Sequence, residues 1–121
     1  MGWNMTAELH PKLTVQIFAE EKVFGPGVAQ LLRRVEQEQS LRKAAMSMAM
    51  AYSKAWTIIK NAERALGFAL LHTTVGGRSG GGAQLTDEAR RLLADYEAYE
   101  RILREEADRR YGEIFGWLSE K

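Results

Sequence analysis

The stretch that decides the fold is residues 40–67, which read SLRKAAMSMAMAYSKAWTIIKNAERALG. Ser40 is a suitable N-cap for a short helix, because its hydroxyl can accept a hydrogen bond from a free backbone N–H. A brief interruption at about residues 49–51 separates this helix from a second one over residues 52–66, and Gly67 suits the position after its end. Two helices joined by so short a turn predict a helix-turn-helix.

The second helix is predicted to bury one apolar face. Its members recur at helical spacing and are Ala55, Trp56, Ile59, Ala62 and Leu66. Because Trp56 shares this face with Ile59, we expect its ring to pack in the core rather than to contact DNA. Tyr52, at the start of the helix, is open to both interpretations. The nearby methionines are interpreted as flexible core filler rather than as ligands, and they are Met46, Met48 and Met50.

The flanking segments complete the order of elements. A helix is predicted over residues 28–39, with Pro26 suited to its first turn. Alternation of apolar and polar residues, or β-branched composition, predicts strands at residues 12–18, 68–75 and 83–85. A charged break at residues 20–22 follows the first strand.

The glycine-rich stretch VGGRSGGGAQLT, residues 75–86, raises the question of a nucleotide site. The phosphate-loop pattern fails, because no Lys-Ser or Lys-Thr pair follows its glycines, and the dinucleotide pattern fails in every register. A hairpin tip with Arg78 at its apex and Ser79 beside it fits better. Direct sensing of an oxyanion by this loop is a weaker alternative.

A long helix is predicted to begin after Thr86, which suits the N-cap position, with Asp87 and Glu88 in the first turn. Its apolar stripe is too wide to be buried by one small domain. We therefore expect it to mediate dimerisation through Leu92, Leu93, Tyr96, Tyr99, Ile102 and Leu103.

These elements predict a mostly α fold with a small β hairpin, a winged helix-turn-helix followed by a long C-terminal dimerisation helix. The expected organisation is an N-terminal tail over residues 1–11, a winged helix-turn-helix over residues 12–86 and the dimerisation helix over residues 87–121.

Charge is distributed unevenly along the chain. Residues 33–64 carry seven basic and three acidic residues, a balance of +4, whereas residues 87–108 carry four basic and eight acidic residues, a balance of −4. The middle of the chain is therefore suited to a polyanion. In a helix-turn-helix the second helix enters the major groove, and basic residues around it neutralise phosphates. The residues expected to contact DNA are Arg42, Lys43, Tyr52, Ser53, Lys54, Lys60, Asn61, Arg78 and Ser79.

Composition excludes several other classes. The 121 residues contain no cysteine and only two histidines, His10 and His72, so we expect neither disulfides nor a metal site. The N-terminus has no signal-peptide pattern, and no apolar run approaches the roughly 20 residues needed to span a bilayer. We expect a soluble cytoplasmic protein with no catalytic constellation and no cofactor.

Two elements together resemble a known family. Tyr52, Ala55 and Trp56 form a Tyr-x-x-Ala-Trp element, and residues 76–86 form a Gly-Gly-x-x-Gly-Gly-Gly-x-x-Leu-Thr element. Both are similar to the N-terminal domain of ModE-type molybdate-responsive regulators, which is related to the LysR-type winged helix-turn-helix. The resemblance covers about residues 13–108. It implies that the helix from Tyr52 reads DNA, that Arg78 and Ser79 lie in the wing and that the long helix dimerises.

Two departures from that family matter. Ala49 stands where the family often has glycine in the turn, which costs about 1 kcal/mol if the position requires left-handed backbone. Only ten residues follow Tyr111, so we expect the family's molybdate-binding domains to be absent from this chain.

The predicted function is that of a homodimeric, sequence-specific transcription regulator that binds double-stranded DNA and no membrane. Any separate effector-sensing protein is unknown. The alternative is a winged-helix module that has lost DNA binding and docks proteins instead.

Overall fold

The computed structural model describes residues 8–74 and 82–120. Along these residues two strands are followed by three α-helices, two more strands and a long α-helix, and a short 3₁₀ helix ends them. Their bounds are β1 Ile17–Phe18, β2 Lys22–Phe24, α1 Pro26–Glu38, α2 Leu41–Ser47, α3 Tyr52–Leu66, β3 Leu71–Thr74, β4 Gly82–Leu85, α4 Asp87–Phe115 and the 3₁₀ helix Gly116–Glu120.

The helix-turn-helix forms as the quoted stretch predicts. Ser40 caps α2, since its Oγ accepts a hydrogen bond from the backbone N of Lys43 at 3.1 Å. Gly67 ends α3 in the left-handed region with a φ of 86°. The three helices enclose one core, whose fully buried members include Leu31, Leu32, Val35, Ala44, Ala45 and Ala55.

The turn between α2 and α3 is strained at one residue. Ala49 has a φ of 53°, in the left-handed region that glycine tolerates better than alanine. The turn is held by two backbone hydrogen bonds, from Ala49 N to the Met46 carbonyl at 3.0 Å and from Met50 N to the Ala45 carbonyl at 2.9 Å. The left-handed geometry that the family's glycine suggested is therefore present here on an alanine.

The strand predicted over residues 12–18 is wrong in extent. Only Ile17 and Phe18 pair, and their partner is β2, which begins at Lys22, the last residue of the predicted charged break. Within the part of the chain that the structure describes, residues 8–16 pair with no strand. Val15 instead packs against α4, where its carbonyl accepts a hydrogen bond from the hydroxyl of Tyr96 at 2.7 Å.

Strands β3 and β4 form the antiparallel wing hairpin, with Leu71 opposite Leu85 and Thr74 opposite Gly82. The strand begins later than predicted, because Leu70 turns into the core and is completely buried. Strand β4 is tied to the end of α1, since Ala83 N donates to the carbonyl of Gln39, the residue after α1, at 3.0 Å.

Helix α4 starts at its predicted cap, and its fully buried residues all lie in its first half. Thr86 Oγ1 accepts from Ala89 N at 3.0 Å, and the buried residues of α4 are Ala89, Leu93 and Tyr96. The Tyr96 ring meets Phe24 edge-on, with 5.0 Å between centroids. No helix within residues 8–74 and 82–120 is long and apolar enough to cross a membrane.

Candidate nucleic-acid interface

Helix α3 presents a polar face directly opposite its buried one. Ala55, Ile59 and Ala62 point into the core. At 3.6 residues per turn, the opposite side of the helix carries residues that are all exposed, namely Ser53, Thr57, Lys60, Asn61 and Arg64. This face has the donors and acceptors that base edges and phosphates require.

The side chains of this face are held by short-range contacts along the helix. Thr57 Oγ1 donates to the Ser53 carbonyl at 2.9 Å, and Arg64 Nη1 donates to Asn61 Oδ1 at 3.0 Å. The Lys60 ammonium lies 3.1 Å from Glu63 Oε1. These contacts restrict the side chains before DNA arrives, which lowers the entropy cost of binding.

The start of α2 supplies two further cations next to α3. Arg42 and Lys43 are both exposed. The Arg42 guanidinium lies over the ring of Tyr52, 4.2 Å from its centroid. This cation–π contact joins the first residue of α3 to α2 and keeps the Arg42 charge beside the polar face.

The expected burial of Trp56 is wrong, because its side chain is 48% exposed. The buried face of α3 is narrow and centred on Ala55 and Ile59. Trp56 follows Ala55 by about 100° of helix rotation, so it reaches the flank of the helix. There it lines a cleft beside the wing, with the Lys60 ammonium 5.7 Å from its ring centroid. Of the methionines interpreted as core filler, Met48 and Met50 pack against the core, but Met46 is exposed.

Glu63 joins α3 to the wing. Its Oε2 accepts a hydrogen bond from Leu70 N at 2.7 Å and a longer one from Leu71 N at 3.5 Å. The Glu63 side chain is only 14% exposed. This contact fixes the end of α3 relative to the start of the wing.

The predicted contact residues fall into two groups. Those on α2 and α3 are all exposed, namely Arg42, Lys43, Tyr52, Ser53, Lys54, Lys60 and Asn61. Arg78 and Ser79 lie outside the residues that the structure describes, so their role in the wing stays a prediction. Thr57 and Arg64 were not among the predicted contacts, although their spacing from Ser53 and Lys60 placed them on the same face.

The predicted dimerisation residues divide by burial. Leu93 and Tyr96 are buried in the chain's own core, and Leu92 and Leu103 pack partly against it. The residues that remain on the surface are Tyr99 and Ile102, which are 55% and 58% exposed. Together with Ile17 they line an apolar groove of about 460 Å³ on α4.

No group of three or more potential metal ligands occurs in the part of the chain that the structure describes. Glu97 on α4 is the carboxylate with a perturbed pKa nearest the core. Hydrogen bonds from Arg33 hold its pKa below the ordinary value, which is the behaviour of a structural ion pair.

Fold and surface together define a DNA-binding protein of the winged helix-turn-helix class. The family model that matches residues 28–90, just over half of the chain, is described as bacterial regulatory helix-turn-helix protein, lysR family. The chain belongs to this family, whose members are DNA-binding transcription regulators.

The chain is also similar to individual proteins. The chain is 40% identical over 70 residues to a molybdenum transport protein ModE of Azotobacter vinelandii, an alignment that covers 58% of this chain. It is 35% identical over 71 residues, 59% of the chain, to a protein of the same name from Herbaspirillum seropedicae. A transcriptional regulator ModE of Haemophilus influenzae is 34% identical over 76 residues, 63% of the chain. These alignments span only 26% to 30% of the relatives' own length.

Proposed function

We propose that the chain is a homodimeric, sequence-specific transcription regulator that recognises an operator with α3, as ModE-type regulators are expected to do. The observation that supports this most strongly is the polar face of α3, which is exposed, preordered and flanked by the cations of α2. Because similarity to the relatives covers a small part of their length, molybdate sensing is not part of the proposal.

Within this function the residues take distinct roles. Ser53 and Lys54, at the start of α3, would contact base edges, since the first turns of a reading helix enter the major groove most deeply. Arg42 and Lys43 would contact phosphates. We extend the proposal to Arg78 and Ser79, which would contact the DNA backbone or the minor groove from the wing.

The exposed apolar groove on α4 supports the homodimer. Tyr99 and Ile102 offer an apolar surface on a helix that continues well beyond the core. Self-association along this groove would present two copies of α3 on one side of the assembly. The corresponding half-sites would lie about one DNA turn apart.

The test is selection of bound sequences from a pool of random duplex DNA, followed by titration of the selected duplex at fixed salt. We expect a symmetric or directly repeated half-site and an affinity that falls steeply as salt rises. Lys54→Ala should weaken binding several-fold. Arg101→Ala, which removes the same charge from α4, should not.

Failure to enrich any sequence, with no binding to duplex DNA even at low salt, would contradict the proposal. That result would favour the alternative of a winged helix that docks another protein.

A further inference from the structure

A cleft of about 320 Å³ separates α3 from the wing hairpin. Its α3 wall consists of Trp56, Ile59 and Lys60. Tyr52 and the start of α2 close one end. The opposite wall is formed by residues of β3 and β4, namely Leu71, Thr73, Thr74, Gly82 and Ala83.

Two cation–ring pairs line this cleft. Arg42 lies over Tyr52 and the Lys60 ammonium lies near Trp56, with 4.2 Å and 5.7 Å to the ring centroids. Tyr52 and Trp56 are four residues apart on α3, so the two rings are separated by about 6 Å along the helix axis. The cleft therefore carries two positive charges and two aromatic surfaces in a row.

The position of the cleft determines which part of a duplex it faces. If α3 enters the major groove and the wing reaches the neighbouring minor groove, one sugar–phosphate strand must pass between them. That strand presents an apolar deoxyribose between two charged phosphates. The cleft offers the matching surfaces, an aromatic face with cations next to it.

We infer that Trp56 packs its ring against a deoxyribose of this strand, while Arg42 and Lys60 contact the phosphates on either side. The inference rests on the proposed function and adds a contact whose strength does not depend on the base sequence. It also accounts for a large aromatic side chain left 48% exposed on the flank of a reading helix.

The walls of the cleft are already fixed in the protein. Glu63 ties the end of α3 to Leu70, and the Gln39 carbonyl accepts a hydrogen bond from Ala83 on the opposite wall. Glu63 also pairs with Lys60 at 3.1 Å, which positions the ammonium at the cleft. A strand that enters this cleft therefore requires little rearrangement of the protein.

The first measurement is tryptophan fluorescence. In the variant Trp3→Phe/Trp117→Phe, Trp56 is the only tryptophan. Adding a saturating amount of duplex should change the emission intensity and wavelength of Trp56 and protect it from iodide quenching. An unchanged emission under conditions where the same sample binds DNA would overturn the inference.

The second measurement compares two duplexes of equal length, one selected by the protein and one of random sequence. Trp56→Ala should weaken binding to both by a similar factor of about ten, the size of a stacking contact. Trp56→Phe should recover most of the loss. Trp117→Ala, which removes an exposed tryptophan outside the cleft, is the matched control and should bind as wild type.

The dependence of affinity on salt shows whether Trp56 packs against the DNA itself or only holds Lys60 in position. Trp56→Ala should leave the slope of log affinity against log salt unchanged, whereas Lys60→Gln should reduce it by about 0.9 for the lost phosphate contact. If Trp56→Ala also reduced the slope, the ring would act only by holding Lys60, and the packing contact would be refuted. Wild-type binding to neither duplex would refute the proposed function and this inference together, whereas normal binding by Trp56→Ala would refute the inference alone.

Discussion

The guanidinium of Arg33 on α1 pairs with the carboxylate of Glu97 on α4 through two hydrogen bonds. Arg33 Nε donates to Glu97 Oε2 at 2.9 Å, and Nη2 donates to Oε1. The same guanidinium also contacts Glu36 at 2.8 Å. This bidentate contact ties α4 to α1, one residue after Tyr96, the last buried residue of α4, so it helps to fix the direction of α4.

Glu97→Gln should reduce the free energy of unfolding at pH 7 by no more than about 1 kcal/mol, because the pair is partly exposed. The hydrogen bonds from Arg33 lower the pKa of Glu97 in the folded state. Its contribution is therefore present above the unfolded pKa of about 4.3 and is lost as pH falls through the folded value. Urea denaturation of both proteins at pH 7 and in acid should show the difference disappearing in acid. Asp95→Asn, which breaks a more exposed pair with Arg91, is the control. A larger decrease in the free energy of unfolding for Asp95→Asn than for Glu97→Gln would contradict the prediction.

Tyr96→Phe should lower stability by about 1–2 kcal/mol, because it leaves the Val15 carbonyl without the buried hydroxyl that donates to it. Burial, followed by the charge of Glu100, raises the pKa of Tyr96 in the folded state. The contribution of Tyr96 is therefore complete below pH 10 and is lost as pH rises through the folded value. Denaturation across alkaline pH tests this, and the Phe variant should lose less stability there. Tyr99→Phe, at an exposed position of the same helix, should change little at either pH.

Ala49→Gly should increase the free energy of unfolding by up to about 1 kcal/mol, since glycine adopts the left-handed backbone at a φ of 53° without strain. The greater conformational entropy of glycine in the unfolded chain offsets part of this gain. Thermal melting is a sufficient measurement. The same change at Ala94, an exposed position inside α4, should destabilise by about 1 kcal/mol. Destabilisation at both positions would show that the turn is not strained.

Glu63→Ala should reduce the free energy of unfolding by about 1–3 kcal/mol, because the buried N–H of Leu70 loses its acceptor. We also expect faster amide hydrogen exchange at Leu70 and Leu71 than in wild type. Glu36→Ala removes an exposed carboxylate from α1 and serves as the control. Unchanged exchange in the Glu63 variant would mean that the wing is held by its other contacts alone.

Ile102→Asp should weaken self-association at least about tenfold if α4 forms the proposed dimer, because an unpaired carboxylate would be buried there. Sedimentation across a range of protein concentrations measures this directly. Met46→Asp makes the same kind of change at an exposed position on α2 and should leave association intact. A wild-type protein that remains monomeric at high concentration would contradict the dimer itself.

The sequence predicts local structure well wherever a pattern and a terminator agree. The limits of α3 follow from helical spacing and Gly67, and the start of α4 follows from Thr86. The pairing of β1 with β2 could not be predicted, because strands of two and three residues are too short to show a periodicity. Leu93, Tyr96, Tyr99 and Ile102 all belong to one apolar stripe in the sequence. The stripe does not show which of them are buried in the core of the chain and which lie on its surface.

The exposed face of α3 could be predicted better than its flank. A spacing of four and eight residues from Ser53 is sufficient to place Thr57 and Asn61 on the same outward face. Trp56 could not be placed, because hydrophobicity favours the core and only the position of the wing reveals the cleft beside it. The contact from Glu63 to Leu70 is similarly invisible in sequence, since a carboxylate near the end of an exposed helix usually faces water.

The bond between Glu63 and the wing has a consequence for the DNA rather than for the protein. In the proposed complex, α3 and a wing locked to it would set a fixed distance between the two grooves that they enter. A duplex whose grooves differ from that distance must bend or change its width, and the energy of doing so depends on the base steps between the contacts. We therefore expect operator positions that no side chain touches to affect affinity, with flexible pyrimidine–purine steps favoured between the two contacted grooves.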